Sequence, residues 1–177
     1  MCDDGGVDGP VSLELIRFTA EFHDWANDRI LRAAEAAGEE AAGARIPGSY
    51  GDGSLHALLA HLVAAERHWL RRWLGDSEAK LDGPATWPTI AAVREAWELH
   101  RPERARFFAE LDEARLLSVC RYRRNQPPLP DERPLWQLIL HVFNHSTHHR
   151  AEAAAILTTI GRPPESVDMI DYIRRDG

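Results

Sequence analysis

From Leu135 to Ile160 the chain reads LWQLILHVFNHSTHHRAEAAAILTTI, with no proline and no glycine. Leu135, Leu138, Ile139, Val142, Phe143, Ala153, Ile156, Leu157 and Ile160 recur at helical spacing, which predicts one long amphipathic helix. Asp131 or Pro134 is suited to open it, and Gly161-Arg162-Pro163-Pro164 to stop it. Its centre carries His141, His145 and His149, each four residues after the last. On a helix that spacing stacks three imidazoles on one face, while His148 points about a quarter turn away.

The remaining chain supplies partners for such a helix. Ser12 is suited to cap a first helix, LELIRFTAEFHDWANDRILRAAEAA, with Leu15, Phe18, Phe22, Trp25, Ala26 and Ile30 as its buried stripe. The glycine-rich segment 38–53 is a connection ending in YGDGS, and Ser54 caps a second helix from Leu55 to Leu74. Leu58, His61, Leu62, Ala65, Trp69 and Trp73 run down one side of it. Residues 75–88 form a surface crossover. A third helix is expected from Thr89 towards Leu116, with Pro102 inside it predicting a kink or break. SVCRYR is suited to a short extended piece, but PPLP forbids continuing it as a regular strand. After the fourth helix, ESVDMIDYIRRDG is expected to make a turn or two of helix packed by Met169, Ile170 and Tyr172. Four long amphipathic helices and almost no strand signal predict an all-α protein, a four-helix bundle with long connections. Residues 1–177 are read as a single domain whose first 11 residues form a loose tail.

Charge and cysteine content narrow the partners. A net charge of −7 argues against a nucleic-acid surface. No run of 18 apolar residues suits a membrane span, and MCDDGGVDG is too acidic for a secretion signal, so a cytoplasmic setting is expected. Cys2 and Cys120 are too few for a disulfide framework.

Chemistry concentrates in the histidines, seven of the nine falling in the second and fourth helices. Neutral imidazoles at i and i+4 of a helix can reach one ion, and His145 and His149 have that spacing. The glutamate of an HExxH metalloprotease is absent, since the run is His145-Ser146-Thr147-His148-His149. His61, on the apolar stripe of the second helix, is the candidate third ligand. The competing reading is a set of core histidines bonded to backbone carbonyls. His141 lies one turn before the pair, and because four residues rise about 6 Å along a helix, one ion rarely takes His at i, i+4 and i+8, so a pocket role suits it better. Asn144 is a candidate hydrogen-bond partner. Glu152 and Glu66 are candidates for orienting a ligand or acting as base, against the plainer reading of solvated helix residues. His23, His56, His68 and His100 are expected at the surface or rim. Three imidazoles on a divalent ion leave a position open for water or substrate, the pattern of a catalytic rather than a closed structural site. Zinc and nickel both suit imidazole. Arg121, Arg123 and Arg124 with Tyr122 form a small basic patch able to hold an anionic group. Cys120 is expected to pack as a small apolar side chain, and Trp25, Trp69, Trp97 and Trp136 to fit core positions of the bundle.

These residues resemble the DinB family. The resemblance runs from Phe22 to Tyr172 and rests on FHDWANDRIL, LLAHLVAAERHWL, the NHSTHHR run inside the fourth helix, the RYRRNQ segment and the tail VDMIDYI. It implies an up-down-down-up four-helix bundle, often dimeric, with a nickel or zinc ion on three histidines. Matched by position these are His61, His145 and His149, with His141 and Asn144 at recurring pocket positions. The family often continues Arg-Gly-Gln after the last ligand, whereas this chain has Arg150-Ala151-Glu152. The resemblance further implies a transferase that uses a low-molecular-weight thiol of the bacillithiol or mycothiol type on a small-molecule substrate. Arg121 and Arg123 would receive the thiol's carboxylates. Metal-assisted hydrolysis, and a stress-related bundle merely stapled by its ion, stand as alternatives.

Overall fold

A computed structural model describes residues 10–48, 50 and 53–175. The described residues are mostly helical, with one small two-stranded sheet. Four long helices dominate: α1 (Leu13–Ala37), α3 (Leu55–Trp73), α4 (Ile90–Glu110) and α6 (Leu135–Thr159). Short helices α2 (Glu39–Gly43), α5 (Glu113–Leu117) and α7 (Met169–Arg174) fill the connections and the tail. The expected caps Ser12 and Ser54 form, and Thr89 caps α4 in the same way. Ser12 Oγ accepts from the Leu15 amide, Ser54 Oγ from that of Ala57, and Thr89 Oγ1 from that of Ala92.

Helices α1 and α3 each pack against both α4 and α6. Their apolar faces build two clusters. One joins Ile30, Leu31 and Ala34 of α1, Leu55 to Val63 of α3, Ile90 to Trp97 of α4, and Ala153 to Leu157 of α6. The other joins Ile16 and Ala20 of α1, Leu70 and Trp73 of α3, Phe107 of α4, Leu116 of α5, and Leu135 to Phe143 of α6. Between them, every long helix contributes buried polar groups: His23 and Asn27, Glu66, Arg104, and Ser146 with Arg150.

Several expectations change. The chain is not purely helical: β1 (Val119–Arg123) pairs antiparallel with β2 (Pro130–Pro134). Proline does not prevent this, because Pro130 and Pro134 fall at the two ends of the ladder, opposite Arg123 and Val119. The hairpin is pinned to α3. The Arg72 guanidinium lies 4.7 Å from the Trp69 ring and 4.9 Å from that of Tyr122, and it donates to the Arg123 carbonyl and to Asn125. Helix α4 runs through Pro102 but ends at Glu110. Leu111 is extended, and Asp112 caps a new helix by accepting from the Arg115 amide at 2.7 Å. On α1, Ile16 rather than Leu15 enters the core, and Leu15 is exposed. Phe18, Phe22 and Trp25 instead form a satellite cluster, which α7 covers with Tyr172 while Met169 and Ile170 stay exposed. No helix among the described residues is long and apolar enough to cross a membrane.

Candidate metal centre

His61 projects from α3 towards α6, where His145 and His149 stand one turn apart. His145 Nε2 lies 3.2 Å from His61 Nε2 and 3.1 Å from His149 Nε2. One nitrogen from each ring falls within 4.8 Å of the other two, so the three can hold one ion. Nitrogens bound tetrahedrally at about 2.05 Å would be roughly 3.3 Å apart, close to the two spacings found here. Neutral rings are required, and the surroundings enforce them. Burial and then the neighbouring His149 pull His61 down to about 4. His145 falls to about 4 through burial, His149, His61 and His141, against an opposing pull from Glu66. Burial lowers His149 as well, opposed by the Glu152 carboxylate.

Two further groups meet the outer nitrogens. Tyr50 Oη lies 3.1 Å from His61 Nδ1, and the phenol ring packs 4.3 Å from the His61 ring and 4.9 Å from that of His149. Glu152 Oε1 accepts from the Tyr50 backbone amide at 2.7 Å, while its Oε2 lies 3.7 Å from His149 Nδ1. That nitrogen is buried and makes no hydrogen bond among the described residues. Tyr50 carried no signal in the sequence beyond its place in a turn, because it reaches the site by loop closure rather than helical spacing.

Beneath the histidines lies the buried polar layer. Glu66 Oε1 lies 2.6 Å from His23 Nε2 and accepts from Ser146 Oγ at 2.7 Å. Arg150 donates to Asn27 Oδ1 at 2.9 Å, to Thr147 Oγ1 at 2.8 Å and to His23 Nδ1 at 3.3 Å. Since Arg150 can only donate, His23 Nδ1 accepts, and the ring's other nitrogen donates to Glu66. Burial alone would raise the Glu66 carboxyl, but His23, Ser146 and Arg104 outweigh it and hold it below the usual carboxylate range. Burial brings Arg150 down to about 10, with Glu66 opposing. Hence Glu66 is no solvated helix residue, and His23 and His68 are buried rather than at the rim. A sequence signal existed for part of this layer. Ser146, His149 and Arg150 occupy the gap between Phe143 and Ala153 in the apolar stripe of α6, so polar residues there had to be in the core.

The other candidates lie apart from the three nitrogens. The His141 ring is 5.9 Å from that of His145 and 5.4 Å from that of Trp69. Asn144 and His148 are exposed, His56 Nε2 donates to the Trp87 carbonyl, and His100 is half-buried. On β1, Tyr122 turns inward to Trp69, at 5.2 Å between rings, and Cys120 is half-buried beside Arg72. Arg121 and Arg123 alternate with them on the exposed side. They line a cavity of about 320 Å³ with Ser77 and Glu78, and Arg121 pairs with Glu132 at 3.0 Å.

No curated protein matches the chain. The model of the DinB family matches residues 14–176, a span that takes in α1 but for Leu13, α2 to α7, the hairpin and all three clustered histidines. The chain therefore belongs to the DinB family.

Proposed function

We propose that this protein binds one divalent ion, zinc or nickel, through His61, His145 and His149, and uses it as a transferase for a low-molecular-weight thiol of the bacillithiol or mycothiol type. The observation that carries the reading is the convergence of three neutral Nε2 atoms at spacings suited to one tetrahedral ion. An ion there supplies Lewis acidity at an open position, lowering the pKa of a thiol held in it. The chain's own residues do the rest. Burial keeps the three rings unprotonated at neutral pH. Tyr50 and the α3–α6 wall shield them on one side. Arg121 and Arg123 receive the thiol's carboxylates at the hairpin, Arg121 exchanging Glu132 for the ligand.

In the same reading residues 1–177 are one cytoplasmic domain, an up-down-down-up four-helix bundle that pairs as a homodimer. The order in which the helices visit the two apolar clusters supports that topology. Helices α1 and α6 run from the Ile16–Leu135 cluster to the Ile30–Leu157 cluster, and α3 and α4 run the opposite way. Metal-assisted hydrolysis is less well supported. Its obvious base, Glu152, is engaged by the Tyr50 amide, and Glu66 is buried with His23 and Ser146.

Elemental analysis of the purified protein tests the first step. About one zinc or nickel per chain is expected, lost in both His145→Ala and His149→Ala. The second step is read as the rate of conjugation of bacillithiol to a halogenated electrophile, with and without metal. Background rates in both conditions would discard the transferase and leave the ion a helix staple.

A further inference from the structure

We infer that Tyr50 and Glu152 form one outer bracket that positions both outer histidines of the centre, and so sets how tightly and how long it holds its ion. The inference rests on the metal-binding reading above and extends it to two residues that touch no ion themselves.

The contacts form a continuous path. His61 Nδ1 meets Tyr50 Oη at 3.1 Å, the Tyr50 amide donates to Glu152 Oε1 at 2.7 Å, and Glu152 Oε2 faces His149 Nδ1 at 3.7 Å. The path leaves α3 at one ligand, crosses a loop residue, and returns to α6 at the other. Its chemistry is directional. A neutral imidazole that offers Nε2 to a cation must carry its proton on Nδ1. The His61 proton then donates to the phenol oxygen of Tyr50. Behind the His149 ring a Glu152 carboxylate oxygen lies 3.7 Å from Nδ1, a buried nitrogen that makes no hydrogen bond among the described residues. A proton fixed on Nδ1 leaves the Nε2 lone pair free, and a carboxylate behind the ring makes that lone pair a stronger donor.

The bracket also explains why a tyrosine is used. Its ring rests on both imidazoles, so the hydroxyl and the stacking face fix His61 in two directions at once. Glu152 has two separable tasks, anchoring the Tyr50 backbone with Oε1 and charging the back of His149 with Oε2. Glutamine preserves the first and removes the second, while alanine removes both.

The test is zinc binding to the full-length protein by competition with a chromophoric chelator, with dissociation followed after addition of excess chelator. Tyr50→Phe and Glu152→Gln should each weaken Zn²⁺ affinity roughly tenfold, mostly through faster release. The midpoint of thermal unfolding of the metal-free proteins should stay at the wild-type value. Tyr50→Phe should cost much less in a Glu152→Ala background than in the wild type, because the anchor is already gone. In a Glu152→Gln background its cost should be close to that in the wild type. Wild-type affinity and release rate in both single variants, with His145→Ala unable to bind, would overturn the bracket and leave the metal centre standing. Failure of the wild-type chain to bind Zn²⁺ or Ni²⁺ would overturn the metal reading and the bracket with it.

Discussion

Glu66 is a carboxylate buried to 5 % exposure, and what holds it charged is a set of named neighbours rather than water. Removing one partner of a buried ion network leaves the others uncompensated, at a cost of about 3–5 kcal/mol. Glu66→Gln is therefore expected to lower unfolding stability by about 3 kcal/mol in urea titration. The amide cannot balance Arg150 and Arg104, nor accept as strongly from both His23 and Ser146. The histidines give a second expectation at this scale. His61 and His145 sit at about 4 in the folded chain against an ordinary value of 6.5. Between those values the unfolded chain binds more protons than the folded one. Stability from this source is full above about pH 6.5 and is lost as pH falls towards 4. Thermal unfolding of the metal-free protein should move to lower temperature over that window. The double variant His61→Gln, His145→Gln should show a shallower dependence.

At the level of elements, α7 depends on one side chain. Tyr172 is buried and meets Phe18, Phe22 and Trp25 at ring distances of 5.7, 5.6 and 5.4 Å. Its hydroxyl reaches Glu21 at 3.1 Å, while Met169, Ile170 and Ile173 face outward. Tyr172→Ala should release α7 from α1 at a cost of about 3 kcal/mol, read as fast hydrogen exchange confined to residues 169–174. Helix α4 keeps Pro102 in its interior, where the ring removes an amide donor. Pro102→Ala should accordingly stabilise the protein by about 1–3 kcal/mol in denaturant unfolding. The loop that presents Tyr50 is closed at its base by the Ile46 amide donating to the Gly53 carbonyl. Gly53 has φ of 84°, and a Cβ there would lie 2.7 Å from the Ile46 carbonyl oxygen.

For the whole molecule, the proposed ion between α3 and α6 would bind the folded chain and not the unfolded one. Zinc at a hundred times its dissociation constant should add about 2.7 kcal/mol. For a chain of this length that raises the unfolding midpoint by roughly 5–10 °C, measurable by calorimetry. The same addition should leave His149→Ala unmoved. A shift in neither protein would count against a site that ties α3 to α6.

Helix positions, caps and the i, i+4 histidine pair were legible in the chain because each depends on residues within one or two turns. Ser12 and Ser54 cap where their local pattern says they should. The stripe of α6 marked its buried face, and the interruption at Ser146, His149 and Arg150 marked a polar layer within it. Other features were not local. SVCRYR reads as a short extended piece, but Pro130–Pro134 has no strand signal, and the ladder between them forms only when β1 meets α3 and β2 meets α6. Ile16 displaced Leu15 from the core because the choice between adjacent residues depends on which neighbours arrive, here the apolar faces of α3 and α6 that meet Ile16. Periodicity along one helix establishes that His145 and His149 share a face. That His61 comes within 3.2 Å of His145, that Tyr50 covers the rings, and that Glu66 is dry were decided only when α1, α3 and α6 packed. A one-dimensional pattern specifies which side of a helix is apolar, but the distance between two helices is set by all the side chains between them.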